Sequence, residues 1–399
     1  MFKPVRVITQ VELIGAPMEL ETGNNSLLTL RAYLTLTLHP LQIAKYFRDV
    51  SDRNNQLCSL FALIGVFVSR VKLWGDRLLQ LSSGDVHVRF CHRSSLILCI
   101  VSRSYELLDD QLNVLFDQIV STLSRSQLDI VYKKKGDNYD LRRLLRGTDK
   151  YMDSSVSAWR TDISLLQSAI RILPMQPSDR DYLSSTMVSC LTAAKLDGVL
   201  FGLMIAHRQV AAMVRLRRYA LHPRDTHILL NLISGNSSLR ITEAQTWTPI
   251  CLPNFNDKGF VYAYISFPWE EILPQFPNFC RNIGTGSDVL WSFVYKNRSS
   301  RQVCISGAKV PLISRAERIS ARTLFERITH LVREESHMRC LFLKRNRDNV
   351  LVWVTDKFEL QCVFSPLVSA VMATTLVDRL LKTLKYHEQR YFIIHTPSF

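Results

Sequence analysis

From Arg31 onward the hydrophobic and polar positions fall into regular periods. Residues 31–38 (RAYLTLTL) alternate as a strand, His39 and Pro40 supply a turn, and 42–48 (QIAKYFR) can pair back, which predicts a hairpin. Asp52 then precedes an apolar stretch from Asn54 to Trp74 that suits a helix. Strands are expected at 77–81, 86–91 and 95–101, and helical periodicity returns from Tyr105 to Leu123. Residues 1–29, of mixed polarity and with the turn-rich Gly23-Asn24-Asn25-Ser26, read as a lead-in.

The same order of hairpin, helix, three strands and helix returns at the C-terminus. Residues 289–296 and 301–305 form a hairpin, 315–336 is helical, strands follow at 339–344, 349–355 and 358–364, and a helix runs from Leu367 to Glu388. A third copy begins within 198–218, as two strands joined tightly near His207 and Arg208. Its helix starts at Pro223, a residue suited to a first turn, and strands follow at 247–252 and 259–267 across the turn 254–257. There the copy stops, because 268–286 brings Pro268, Pro274, Pro277 and two glycines in place of a further strand and helix. The expected organisation is a lead-in (1–29), a first module (30–150), a helical connector (151–195), a shortened second module (196–286) and a third module (287–399). The fold class is α+β, with each module a mainly antiparallel sheet flanked by helices.

The helix at 54–74 carries more apolar surface than one sheet can use. Plotted at about 100° per residue, Leu57, Phe61, Ile64, Val68 and Val71 make one stripe, and Leu60, Leu63, Phe67 and Trp74 a second beside it. Cys58, Ala62, Gly65 and Ser69 make a third face of small side chains. A helix packed on one sheet needs a single apolar face, so the remainder calls for cover from another domain or another chain.

Composition narrows the class. With 47% hydrophobic residues over 399 positions the chain can build two or more cores. Its 50 Lys and Arg against 35 Asp and Glu give a formal charge of +15, which favours anionic partners. Cys58, Cys91, Cys99, Cys190, Cys251, Cys280, Cys304, Cys340 and Cys362 are scattered without CxxC pairs and mostly within apolar runs, as expected of buried free thiols in a reducing compartment. No apolar run reaches the roughly 18–20 residues that span a bilayer, and the first residues have neither the apolar stretch nor the cleavage site of a signal peptide.

Motifs for covalent chemistry are lacking: there is no P-loop, dinucleotide-binding turn, GxSxG or HExxH. His87, Cys91 and His92 have no second pair at ligand spacing, so no metal site is expected. Asp109-Asp110, Glu270-Glu271 and Glu334-Glu335 adjoin helical stretches, where solvation or a helix dipole accounts for them. No catalytic residue and no cofactor are assigned. Basic clusters recur at Lys133-Lys134-Lys135, Arg142-Arg143-Arg146, Arg215-Arg217-Arg218, Lys296-Arg298-Arg301 and Lys344-Arg345-Arg347. Aromatics are thinly interleaved with them, which argues against base stacking. Attraction to lipid headgroups, at about 1 kcal/mol per Lys or Arg near an anionic bilayer, or to an acidic protein face explains them at least as well.

Several stretches resemble the SAND, or Mon-one, family of vacuolar fusion proteins: 138–145 (NYDLRRLL), 221–234 (LHPRDTHILLNLIS), 247–255 (WTPICLPNF), 260–267 (FVYAYISF), 295–300 (YKNRSS) and 353–366 (WVTDKFELQCVFSP). They keep the family's order over about 230 residues. The resemblance implies three longin-type modules and a complex with a Ccz-type longin partner. That complex would act as guanine-nucleotide exchange factor for a late-endosomal or vacuolar Rab GTPase. It implies that the first modules of the two subunits pair and that their joined helices form the floor under the GTPase. Carried over by position, that floor is the helix at 54–74, with Leu57, Cys58, Leu60, Phe61, Ala62, Leu63, Gly65, Phe67 and Ser69 as candidate partner- or GTPase-binding residues. The family's acidic N-terminal extension is here reduced to about 30 residues.

The expected function is therefore an exchange-factor subunit held peripherally on late endosome, vacuole or lysosome, without covalent chemistry. Arg215, Arg217, Arg218, Lys344, Arg345 and Arg347, near hairpin ends, are the expected contacts to an anionic, phosphoinositide-containing membrane. Two other readings stand beside it: a longin-module scaffold without exchange activity, and a basic nucleic-acid-binding protein.

Overall fold

The structure, a computed structural model, describes residues 11–12, 32–36, 43–46, 54–84, 86–93, 96–102, 106–135, 144–145, 147–194, 198–236, 246–266, 287–306, 315–335 and 337–399. They fall into two compact units, Met1–Val156 with Trp247–Ala263 and Ser157–Thr246 with Tyr264–Phe399. The turn at 23–26 and the Pro-rich 268–286 lie outside the described residues.

In the first unit, β1 (Val11–Glu12), β2 (Ala32–Leu36), β3 (Ile43–Tyr46), β4 (Gln80–Ser83), β5 (Val86–Arg93) and β6 (Leu96–Ser102) make one sheet in the order β1-β4-β5-β6-β2-β3. The expected hairpin is present, with Leu36 opposite Ile43 and Tyr33 opposite Tyr46. Part of the lead-in joins the sheet, because Val11 and Glu12 pair in parallel with Leu81 and Ser82. Strand β6 shows why the sequence LILCIVS lacks polar alternation: both of its faces are covered. Leu96, Leu98 and Ile100 pack under α2 (Leu108–Leu123) with Leu112, Leu115 and Ile119. Ile97 and Cys99 face the opposite way, into a core shared with α1 (Asn54–Leu73). His87 and His92 hold structural hydrogen bonds, to the Ser82 hydroxyl at 3.1 Å and the Leu78 carbonyl at 2.6 Å. Beyond α2 follow α3 (Arg125–Lys135) and α4 (Asp149–Thr161).

The second unit opens on α5 (Ile163–Leu166), β7 (Ile170–Arg171) and α6 (Pro177–Ala193). The connector thus contributes a strand as well as helices: Ile170 and Arg171 pair in parallel with Gln302 and Val303. Next come β8 (Phe201–Ala206), β9 (Gln209–Arg215) and α7 (Pro223–Gly235), with His207 and Arg208 both at positive φ in the tight turn. After β12 (Leu290–Asn297), β13 (Gln302–Ile305), α9 (Arg315–Glu334), β14 (Cys340–Lys344), β15 (Asn349–Val354) and β16 (Phe358–Phe364), the unit closes on α10 (Ala370–Tyr386) and α11 (Glu388–Tyr391). Its main sheet runs β14-β15-β16-β12-β13-β7. Leu360, Cys362 and Phe364 of β16 pack under α10, while Val363 faces the core of α9. A bridge between Ile172 and Val210 sets β9 beside β7.

The middle repeat does not gather into one sheet among the described residues. Its first hairpin, β8–β9, and its second, β10 (Thr246–Leu252) with β11 (Asp257–Ile265), are separate two-stranded sheets. Most of the second belongs to the first unit, where Cys251 joins the α2 core and Asp257 meets Arg125 at 3.1 Å. The expected turn at 254–257 is the single helical turn α8 (Pro253–Asn256). Cys99, Cys251, Cys304 and Cys362 are buried free thiols and Cys91 is partly buried, but Cys190 and Cys340 are exposed, contrary to the reading from their neighbours in sequence. Among the described residues no helix is long and apolar enough to cross a membrane.

Candidate functional site

Helix α1 places its residues by simple periodicity. Ile64, Val68 and Val71 point into the core with Leu78, Leu81, Phe90, Ile97 and Cys99, and Phe67 lies partly buried at its edge. The outward side is apolar too: Leu63 is 51% exposed, Val66 58%, Leu73 77% and Trp74 64%. Gly65 is half-buried and Ser69 exposed, so the small-residue face flanks this stripe. The backbone of Leu57, Cys58, Leu60, Phe61 and Ala62 is helical, but their side chains lie outside the described ones.

Val66 and Leu73 were not among the residues singled out from sequence. The signal was present, since 63, 66, 70 and 73 recur at helical spacing. It was hidden because Arg70 interrupts the run. In the structure Arg70 lies over the Trp74 ring at 6.0 Å, so its charge sits at the margin of the stripe without dividing it.

The equivalent helix of the C-terminal repeat provides an internal comparison. On α9, Leu324, Phe325 and Ile328 are buried, whereas Glu317, Ser320, Arg327, Arg333 and Glu334 are exposed. That helix has one apolar face, as a sheet-packed surface helix should. The same position in the first repeat is apolar on both sides.

The basic clusters divide. Arg142, Arg143 and Arg146 lie outside the described residues. Lys296 and Arg298 meet Glu359 at 3.3 and 3.4 Å, and burial pulls the Lys296 ammonium pKa down while Glu359 opposes that. Arg215 is half-buried and donates to the Tyr219 carbonyl at 2.9 Å; Arg217 and Arg218 beyond it are exposed. Lys344, Arg345 and Arg347 are exposed in the β14–β15 turn, with Arg345 3.4 Å from Asp348. Arg215 ends β9 in the two-stranded β8–β9 sheet, whereas Lys344 ends β14, the edge strand of the six-stranded sheet. They are two places, not one patch.

Two sheets, each with one helix on either face, and the parts of a third repeat agree with comparison to known families. Models of the first, second and third longin domains of FUZ, MON1 and HPS1 match residues 44–154, 197–309 and 289–388. The chain is thus of the class built from three successive longin domains. Over 384 residues it is 30% identical to "Vacuolar fusion protein MON1 homolog A" of Gallus gallus, covering 86% of this chain and 68% of that one. It is 30% identical to "Protein SAND" of Takifugu rubripes over 389 residues, 86% and 73% of the two chains. To "Vacuolar fusion protein MON1" of Yarrowia lipolytica it is 27% identical over 371 residues, 82% and 67%. The chain belongs to the MON1/SAND family.

Proposed function

We propose that the chain is one subunit of a heterodimeric guanine-nucleotide exchange factor for a late-endosomal or vacuolar Rab GTPase, acting in endosome maturation and fusion with vacuole or lysosome. The observation that carries this reading is the outward stripe Leu63, Val66, Leu73 and Trp74 on α1, which the matching helix α9 does not have. A Ccz-type longin partner laying its own first helix along that stripe would bury it and complete a floor for the GTPase. The names of the relatives, vacuolar fusion proteins, agree with a role in membrane traffic. Exchange needs no acid, base or metal. A surface that binds the nucleotide-free GTPase more tightly than the loaded form weakens nucleotide affinity by the same factor.

Release of a fluorescent guanine nucleotide from candidate Rab proteins, measured with the chain, the longin partner and the pair, tests the reading. Acceleration by the pair alone supports it. No acceleration by a pair that has formed would leave a longin scaffold as the function.

A further inference from the structure

We infer that the open edge of β14 is a docking site for an extended peptide segment of a partner protein, one that adds as an antiparallel strand and lays carboxylates beside Lys344 and Arg347. The inference stands on its own observations and does not require exchange activity.

Strand β14 ends its sheet, with β15 on one side and, among the described residues, no strand on the other. The register fixes which main-chain groups are left over. The Arg345 N–H donates to the Asp348 carbonyl at 3.1 Å and the Val354 N–H to the Arg339 carbonyl at 2.8 Å, so the odd-numbered residues bond to β15. In an antiparallel ladder the alternate residues face the other way. Cys340, Phe342 and Lys344 therefore turn their N–H and C=O groups to the open side. The opposite edge is continued: beyond β7, Ile172 bridges Val210, and the Leu173 N–H donates to the Val210 carbonyl at 2.9 Å.

Exposed edges are usually guarded by proline, a bulge, an inward charge or extreme shortness. Strand β14 has five residues, CLFLK, with no proline and an unbroken register against β15. Its side chains suit a further neighbour. Leu341 and Leu343 are partly buried against the α9 core and Phe342 against that of α10, so both faces of the edge are apolar. Strand addition supplies such an edge with its missing bonds, and alternate side chains give specificity.

Charge selects the occupant. Beyond the strand the turn sets three cations against Asp348, which lies 3.4 Å from Arg345, and among the described residues neither Lys344 nor Arg347 has a carboxylate within 4 Å. At the other end Arg339 is matched by Asp356 at 3.0 Å. The unmatched charge lies at one end only, which calls for an acidic end on the incoming strand. A second copy of β14, laid antiparallel about Phe342, would set Arg345 against Arg339, and like charges opposed across strands destabilise the pair.

Fluorescence anisotropy of a labelled peptide, two aspartates followed by three valine–threonine pairs, titrated with the full chain, tests this. With its valines opposite Lys344, Phe342 and Cys340, the peptide should bind saturably, and amide hydrogen exchange should slow at those residues. N-methylation of the valines, whose amides would face β14, should weaken binding about tenfold or more. The same change at the threonines, whose amides face away, should leave it within about twofold. Lysines in place of the aspartates should weaken binding about fivefold at low ionic strength and less in high salt. Lys344→Glu with Arg347→Glu should turn that preference toward the lysine form. The inference is overturned if the peptide does not bind, if the valine-methylated peptide binds as well as the parent, if exchange slows elsewhere and not in β14, or if light scattering shows a dimer of the chain with these amides already protected. Absent nucleotide release alongside normal peptide binding would count against the exchange reading alone.

Discussion

Arg180 is a buried charged side chain that, among the described residues, has no carboxylate within 4 Å, although Asp181 acts on it at longer range. Its guanidinium donates to the carbonyls of Ala211 at 3.1 Å, Leu173 at 2.7 Å, Phe392 and Arg390 at 3.2 Å each, and Gln389. Burial lowers its pKa to about 10, still far above neutrality. One residue thereby fastens α6, β9 and the C-terminal segment. Arg180→Met should cost about 3 kcal/mol, because several carbonyls lose a charged donor within the interior; urea unfolding measures it, and an unchanged midpoint would contradict the role. Nothing local marks this residue, since PSDRDYLSS reads as a solvated first turn. The side chain's partners are up to 212 positions away, and periodicity carries no such information.

Two histidines set a pH dependence at the same scale. Burial lowers His222 to about 4, with Arg301 at 2.6 Å and Arg224 adding to the effect. Burial also lowers His227, whose Nε2 lies 2.9 Å from the Ala169 carbonyl. The unfolded chain takes up these protons near pH 6.5 and the folded chain resists. Their contribution is therefore fully present above about pH 6.5 and falls away as pH drops toward 4. Unfolding midpoints across that window should decline less steeply for His222→Gln than for the wild type; equal slopes would contradict the assignment.

At the scale of elements, strands and helices were largely legible, because alternation and helical spacing are local. What escaped was which neighbour each element takes. β7 is too short to show a period, yet it extends the β12–β16 sheet. The β8–β9 hairpin reads as one more strand pair, but Gly202 shows how closely α6 lies on it. A Cβ there would meet the Val214 side chain at 2.8 Å and Met187 at 3.1 Å. Gly202→Leu should cost about 2 kcal/mol through overpacking, read as a lowered midpoint of thermal unfolding. A neutral result would mean that α6 moves aside freely.

Helix α1 shows the opposite case, where a surplus in the sequence pointed beyond the element. The apolar circumference of 54–74 asked for a second neighbour, and the structure turns Leu63, Val66, Leu73 and Trp74 away from the sheet. Of the stripe Leu57, Phe61, Ile64, Val68 and Val71, the structure buries Ile64, Val68 and Val71 in the sheet core, and of the second stripe Leu63 and Trp74 stand exposed.

At the scale of the molecule, three repeats were visible as an order of elements, but the fate of the middle one was not. Alternation tells a strand which face is buried, not which sheet it joins. Thus β10–β11 could not be seen to leave β8–β9 and lie with the first unit.

The most direct test of α1 as the pairing surface is co-purification of the chain with a Ccz-type longin partner, wild type against Val66→Glu with Leu73→Glu. Both positions are exposed, so the variant should keep its thermal midpoint, the change in stability staying within about 0.5 kcal/mol. The wild type should elute with the partner as a one-to-one complex and the variant should elute alone. A variant that folds and still binds the partner with wild-type affinity would contradict the pairing of the two chains through this helix.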